Sequence, residues 1–518
     1  MTMLTDTPVV AAPLYEGADW DYDKLRRVYD AIEQVAVKDL GLNTYANQIE
    51  VITSEQMLDA YSSIGMPLLY KHWSFGKHFA RDEVLYRKGL RGLAYEIVIN
   101  SNPCISYIME ENTMTMQALV TAHAAFGHNH FFKNNYLFQQ WTDADGILDY
   151  LEFAKGYVAK CEERYGHARV ERVLDAAHAL MNHGVHRYPR RRSDLRNEER
   201  REQERRSHEE TTFNDLWRTV PTKPGGPSLF TDRDRRRALL ELPEENILYF
   251  LEKKAPRLQG WQRELLRVVR HLSQYFYPQR QTKVMNEGCA TWCHYNILRR
   301  MHERGMITEG AWLEVLHSHT NVIFQPEFDD PRYGGLNPYA LGFAMMEDIE
   351  RIATNPTEED RYWFPDFAGS GDSVTVLRDA WANFRDESFI LQYMSPALIR
   401  KFKLFHVQDD AREPEMEIKA IHNERGYRSI RQSLARQYDV AWIEADIQIV
   451  DVDLTGDRKL MLEHRVTNQI LLEDEDARAV LQHLSDLWGY EVVMEEIDAA
   501  SGARLKKHTV GPRMILGA

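Results

Sequence analysis

The sequence predicts a large, mainly α N-terminal domain followed by a small α+β C-terminal domain with an antiparallel sheet. Two observations carry that prediction. Up to about residue 399, apolar side chains recur at helical spacing between proline and glycine punctuation. From about residue 400 the pattern changes to apolar–polar alternation, interrupted by two helical stretches. The composition agrees, because 43% hydrophobic and 28% charged residues in a chain of 518 is ordinary for a globular protein with a large core.

Residues 1–19 read as a loose leader. The helical domain, 20–399, opens with Leu25, Val28, Tyr29, Ile32 and Val35 on one helix face. Further helical patterns fall around 111–126, 147–164, 168–183, 246–276, 284–304, 309–318 and 340–353. The stretch Arg187–Glu210 holds nine Arg and seven Asp or Glu with almost nothing apolar. It reads either as a basic patch for an acidic partner or as a solvated, charge-compensated segment. With 211–236 it marks an insertion, 187–236. In the C-terminal domain, 400–518, KFKLFHV and EMEIKAI read as strands and 423–438 as a helix. A second strand pair, IEADIQIVDVDL and KLMLEHRV, surrounds a turn at Thr455–Arg458. A helix at 474–488, the strand YEVVMEEI and a last strand near 504–509 complete it.

Several function classes are excluded. With 64 Lys and Arg against 79 Asp and Glu, the net charge of −15 argues against general nucleic-acid or anionic-membrane binding. Four cysteines, at 104, 161, 289 and 293, make no disulfide framework and suit a reducing compartment. No Lys or Arg precedes position 24, so the N-terminus does not read as a secretory signal. No run approaches the roughly 20 apolar residues of a membrane span. A cytoplasmic protein is expected. Gly369-Ser-Gly371 lacks the lysine of a phosphate loop, and there is no Gly-x-Ser-x-Gly elbow.

The chemistry concentrates in histidines and carboxylates of the helical domain. The first cluster is His123-Ala-Ala-Phe-Gly-His128-Asn-His130. On a regular helix His123 and His128 stand about 140° apart, whereas His123 and His130 nearly share a face. For His123 and His128 to converge the helix must loosen, with a π-bulge at Gly127 the natural device. The cluster then reads as metal-binding imidazoles, or as one core histidine with two at the helix end. The second cluster is Asn286-Glu287-Gly288-Cys289 through Cys293-His294, where Glu287 and His294 lie seven apart on one face. The Asn-Glu-Gly string resembles the helix that supplies the glutamate ligand in zinc aminopeptidases of the gluzincin class, although Ala124 stands where their general base would be. Cys289 and Cys293 read as core thiols. Asp175-x-x-His178 and Glu314-x-x-His317, with Glu163 and Glu287, have the spacing of a di-iron carboxylate bundle or of surface ion pairs. His317-Ser-His319-Thr-Asn321 and Asn337-Pro-Tyr339 read as pocket lining or as turn and cap residues.

These strings together resemble the SpoVR family (stage V sporulation protein R), in particular its YcgB-like Gram-negative branch. The resemblance is carried by His72-Trp-Ser-Phe-Gly-Lys, His123-Ala-Ala-Phe-Gly-His128-Asn with Phe-Phe-Lys-Asn-Asn-Tyr, Cys161-Glu-Glu-Arg-Tyr-Gly and His178-Ala-Leu-Met-Asn. It continues through Tyr277-Pro-Gln-Arg-Gln-Thr, Met285-Asn-Glu-Gly, His317-Ser-His-Thr-Asn-Val and Asn337-Pro-Tyr-Ala-Leu-Gly-Phe. It runs from about residue 20 to the C-terminus. The family pattern includes histidine at 123 and 128 but not at 130, and does not demand His183 or Cys289. The resemblance implies a link to spore cortex formation, hence peptidoglycan, or to stationary-phase stress in Gram-negative bacteria. It also implies company with a PrkA-like serine kinase and a YeaH-like partner. It carries no assigned reaction.

Three functions are therefore expected to compete. The first is a metal-dependent hydrolase of an envelope-related amide or peptide, with zinc on His123, His128 and Glu287 and with His294 or His178 as orienter or general base. The second is a di-iron oxidoreductase using Asp175, His178, Glu287, Glu314 and His317. The third is a non-catalytic regulator that docks a partner through its C-terminal module.

Overall fold

A computed structural model describes residues 12–62, 66–73, 96–187, 240–408, 417–420, 422–453, 456–467 and 470–513. The charged insertion expected at 187–236 lies, after Arg187, outside the described residues, as do positions 1–11 of the leader. The leader's end is packed: the Leu14 N–H donates to the Met306 carbonyl at 2.8 Å, and Tyr15 is buried.

The chain forms two compact units, each from two distant segments. One comprises Met1–His167 and Gln274–Ile443, the other Ala168–Ser273 and Glu444–Ala518. This division differs from a linear split at residue 400. The strands and helix just after 400 fold with the first unit, and the described helices of 168–187 and 240–273 fold with the last strands.

The hub of the first unit is the helix Lys283–Glu303, with buried side chains on almost every face, from Val284 and Met285 to Leu298 and Met301. A helix apolar on all sides belongs inside a core. Its neighbours approach at glycines. A Cβ on Gly288 would lie 2.6 Å from the Gly342 backbone carbon, and one on Gly127 would lie 2.5 Å from the Ala290 Cα. The helix Pro338–Thr354 and the segment 122–128 can therefore pack backbone against backbone on this hub. Its N-terminus is capped from elsewhere in the chain. The buried Asp386 carboxylate accepts the N–H groups of Val284 and Met285 at 2.8 and 2.9 Å, satisfying donors that a helix start leaves orphaned.

The first unit is not purely helical. Strands β1 (Asn47–Ile52), β2 (Glu96–Ile99) and β3 (Cys104–Met109) form a sheet of order β1-β3-β2, with β1 parallel and β2 antiparallel to β3. The helical reading of this region missed it, although Ile49, Val51, Val98, Ile105 and Ile108 are β-branched and favour strands. Two short strands, β4 (His406–Gln408) and β5 (Glu417–Ala420), pair antiparallel before the helix Glu424–Arg436.

In the second unit, β6 (Ile447–Val452), β7 (Leu460–Val466), β8 (Val492–Asp498) and β9 (Arg504–Val510) lie in that order in one sheet. Their positions follow the alternation in the sequence. Their directions correct the expected antiparallel sheet: β7 and β8 are parallel, Leu460 facing Val492 and Val466 facing Asp498, so the sheet is mixed. The helix Asp474–Trp488 lies between these two strands in the chain, and a strand–helix–strand crossover returns the second strand in the same direction. The helix ends on Gly489 at φ +84°, a left-handed stop that suits glycine. The earlier segment joins the sheet by mutual backbone hydrogen bonds between Glu244 and Ile449, at 2.9 and 2.8 Å. The helical pattern at 246–276 resolves into two helices, Ile247–Lys254 and Gly260–Gln281. Pro256 forces Ala255 into an extended conformation and stops the first of them. Among the described residues no helix is long and apolar enough to cross a membrane.

Candidate metal centre

The segment Ala122–His128 is π-helical. In a π-helix hydrogen bonds run from i to i+5, which brings residues five apart onto one face. His123 and His128 are five apart, and their rings meet edge to face with centroids 4.7 Å apart. The wider turn is accommodated where Gly127 passes Ala290 without a side chain. His130 faces elsewhere: its Nδ1 accepts the Asn43 N–H at 2.9 Å, and its ring packs on Trp381.

Two carboxylates meet these rings. Glu287 comes from the second turn of the hub helix, just after the turn that Asp386 caps. Glu96 is the first residue of β2. The His123 Nε2 lies 3.7 Å from Glu96 Oε1 and 3.7 Å from Glu287 Oε2, and the His128 Nε2 lies 3.6 Å from the same Glu287 oxygen. Ligand atoms of Glu96, His123 and His128 all fall within 4.8 Å of one another. The imidazoles are buried and the two carboxylate side chains are each 17% exposed. The Nε2 of His123 and the Oε2 of Glu287 are buried without a hydrogen-bond partner.

The imidazoles are held from behind. The Nδ1 of His128 is 2.9 Å from Asn286 Oδ1. An amide oxygen only accepts, so Nδ1 carries the proton and Nε2 presents a lone pair to the carboxylates. The Nδ1 of His123 is 2.9 Å from Nδ1 of His294, whose Nε2 is 2.9 Å from Nδ1 of His319. Tyr339 stacks on His123 with centroids 6.3 Å apart and hydrogen-bonds Glu287.

Electrostatics separates the four groups. Burial would raise the Glu287 carboxyl, but His123, His128 and Tyr339 outweigh it and hold the group below the usual range. Burial raises Glu96, with His123 opposing and Glu287 adding to the rise. Burial pushes His128 down to about 4 against the pull of Glu287. His123 goes the other way: burial would lower it, but Glu287 and Glu96 raise it. His294 and His319 are pushed down by burial and by neighbouring imidazoles, His319 to about 4.

The pairs His123–Glu96, His123–Glu287 and His128–Glu287 thus face each other across gaps of 3.6–3.7 Å. Such gaps are too long for hydrogen bonds. Ligand atoms bound at about 2.0–2.2 Å to one tetrahedral cation lie about 3.3–3.6 Å apart, close to what is seen.

Of the residues singled out in the sequence, His123, His128, Glu287 and His294 come together. His178 is half-buried in the second unit and is no part of this cluster. The di-iron set is not assembled. Asp175 also belongs to the second unit, Glu163 is exposed, and His317 is exposed and bonded to Asn321 at 3.2 Å. Glu314 instead accepts the Thr113 hydroxyl at 2.5 Å. The i, i+3 spacing guarantees that two side chains are neighbours on a helix, not that their face turns inward. On the Glu309–Val322 helix the buried positions are Ala311, Val315 and His319. Cys289 and Cys293 are buried in the apolar core. Sequence reasoning missed Glu96, which arrives from a strand distant in the chain and carries no local signal. It also gave Asn286 no role and read His319 only as pocket lining or a turn and cap residue, although both lie in the strings already noted.

The sequence profile described as "SpoVR like protein" matches residues 19–443, and that described as "SpoVR-like C-terminal domain" matches residues 445–499. The boundary falls where the first unit ends, at Ile443. The chain is 55% identical over 484 residues to the Escherichia coli (strain K12) protein named "Uncharacterized protein YcgB", a match covering 93% of this chain and 94% of that one. No solved structure matches it. On both the profiles and the identity, the chain belongs to the SpoVR family.

Proposed function

We propose that this SpoVR-family protein is a metal-dependent enzyme, most simply a hydrolase acting on an amide or peptide bond of a cell-envelope precursor. The observation that carries the metal reading is the pair of buried atoms without hydrogen-bond partners, His123 Nε2 and Glu287 Oε2, set in a ring of four donor groups. Burying such atoms unsatisfied is costly, and a cation supplies the missing partner to both. His123, His128 and Glu287 would hold the metal, with Glu96 as a fourth group, a second carboxylate that binds it or takes up a proton. Zinc suits this donor set, and ferrous iron is the alternative that two imidazoles and a carboxylate also accept. Bound there, zinc would supply Lewis acidity and lower the pKa of water. The chain's own residues do the rest: Asn286 orients His128, Asp386 fixes the helix start that presents Glu287, and Tyr339 covers His123. His294 supports the site from behind its ligand, and His178 has no part in it.

The regulatory reading, in which the protein acts with a PrkA-like kinase and a YeaH-like partner in cortex formation or stress, leaves this cluster without a task. The orphaned atoms therefore favour the metal reading. Elemental analysis of untagged protein tests it. About one zinc or iron per chain, lost in His123→Ala and His128→Ala, is expected. Less than about 0.2 metal per chain, unchanged by either substitution, overturns it.

A further inference from the structure

We infer that His294 and His319 are positioning residues, a hydrogen-bonded chain that supplies the acceptors His123 needs to hold the tautomer in which Nε2 can bind the metal. This rests on the metal reading above.

The two imidazoles at the centre are oriented differently. His128 faces an amide oxygen, which can only accept, so its tautomer is fixed by one contact. His123 faces another imidazole nitrogen, which accepts or donates according to its own protonation. If His123 Nε2 offers a lone pair to the metal, its Nδ1–H must donate to Nδ1 of His294. Neutral His294 then carries its hydrogen on Nε2 and donates to Nδ1 of His319. Neutral His319 is left with its hydrogen on Nε2. The reverse order of protons runs the chain backwards and places an Nε2–H of His123 against Glu96 and Glu287, where no metal can bind that nitrogen. A metal on Nε2 of His123 would select the first order, and Nδ1 of His319 is the acceptor that this order requires.

The surroundings leave no substitute for that acceptor. His294 and His319 are 1% and 4% exposed. His319 is stacked by Tyr295 at 4.8 Å and met edge-on by Phe343 at 4.7 Å. The chain spans three elements, the π-helical segment, the hub helix and the helix Glu309–Val322, so a residue that touches no metal ligand helps to set metal affinity.

Zn²⁺ affinity, measured at fixed pH by competition with a chromophoric chelator, tests the chain through a double-mutant cycle. His319→Phe keeps the aromatic packing and removes the acceptor, and should weaken Zn²⁺ binding about 10-fold or more. His294→Asn offers His123 an amide oxygen, which can only accept, as the Oδ1 of Asn286 does behind His128, and should keep affinity near that of the unmodified protein. In the His294→Asn background, adding His319→Phe should then change little. A purely structural role for His319 predicts a loss of similar size in both backgrounds, and that result overturns the inference. So does unchanged affinity in His319→Phe. Circular dichroism and unfolding of the metal-free proteins confirm that each variant is folded. If the unmodified protein binds no Zn²⁺, the metal reading fails. If it binds Zn²⁺, His123→Ala abolishes binding and His319→Phe does not, only the chain fails.

Discussion

Each unit buries a group of histidines around a glutamate, and the two groups are built on opposite terms. In the second unit Glu496, fully buried on β8, accepts from His464 Nδ1 and His508 Nε2 at 3.0 Å each and from the Leu472 N–H at 3.0 Å. Both oxygens are used. In the first unit the corresponding gaps are 3.6–3.7 Å, and an oxygen and a nitrogen are left without partners. Residue type alone does not separate these cases, since both are buried carboxylate–imidazole sets. Closure does. A network that completes itself contributes to the fold, whereas one held open by its scaffold is shaped for a further group.

The sharpest way to break this comparison is to remove the central carboxylate from each unit. Glu496→Ala leaves two buried imidazole donors and the half-buried Leu472 N–H unanswered and should cost about 3–5 kcal/mol of stability. Glu287→Gln severs no hydrogen bond at Oε2, so it should leave stability within about 1 kcal/mol while abolishing metal binding. Denaturant unfolding and metal content, read on both variants, check this. A large stability loss from Glu287→Gln without loss of metal would make the first cluster structural, like the second.

A second test adds the metal rather than removing a ligand. Zn²⁺ at about a hundredfold excess over its dissociation constant should stabilise the fold by about 2.7 kcal/mol, because it binds the native state alone. Hydrogen exchange should slow in the 122–128 segment and in the hub helix, and not in β7, β8 and β9. Protection confined to the second unit would invert the assignment.

How far the sequence foretold these two clusters follows from how local each signal is. The spacing of five between His123 and His128 is a local pattern, and it pointed to the π-helical segment that is found. The alternation of β6 to β9 is equally local and located every strand of that sheet. Pairing is not local. That β7 and β8 run parallel depends on the crossover helix, and that 168–273 packs with 444–518 depends on surfaces far apart in the chain. Glu96 was invisible for the same reason, because β2 is placed by β3 rather than by any neighbour of the histidines. The di-iron pairs failed in the opposite sense. Their spacing was real, but the faces that turn inward carry Val315 and His319, not Glu314 and His317.

The smallest expected effect is a difference in pH response. The His123 pKa is raised above its ordinary value of 6.5 by Glu287 and Glu96 against the effect of burial. In the metal-free protein its proton therefore contributes stability that is fully present below pH 6.5 and lost as pH rises through the raised value. Metal binding has the opposite sign, since the cation must displace that proton. Affinity should climb by up to about tenfold per pH unit while His123 still holds a proton, and level off above its pKa. Glu496 behaves otherwise. Burial opposes its charge, but His508, Leu472 and His464 lower its pKa below the ordinary 4.5. Its contribution is complete above pH 4.5 and is lost only as pH falls from there through its lowered value. Between pH 6 and 8 the first unit should therefore change its metal affinity while the protection of β8, taken relative to the intrinsic exchange rate at each pH, stays constant. A chelator competition series with parallel exchange measurements reads both, and equal sensitivity of the two units over that range would show that both networks are closed in the same way.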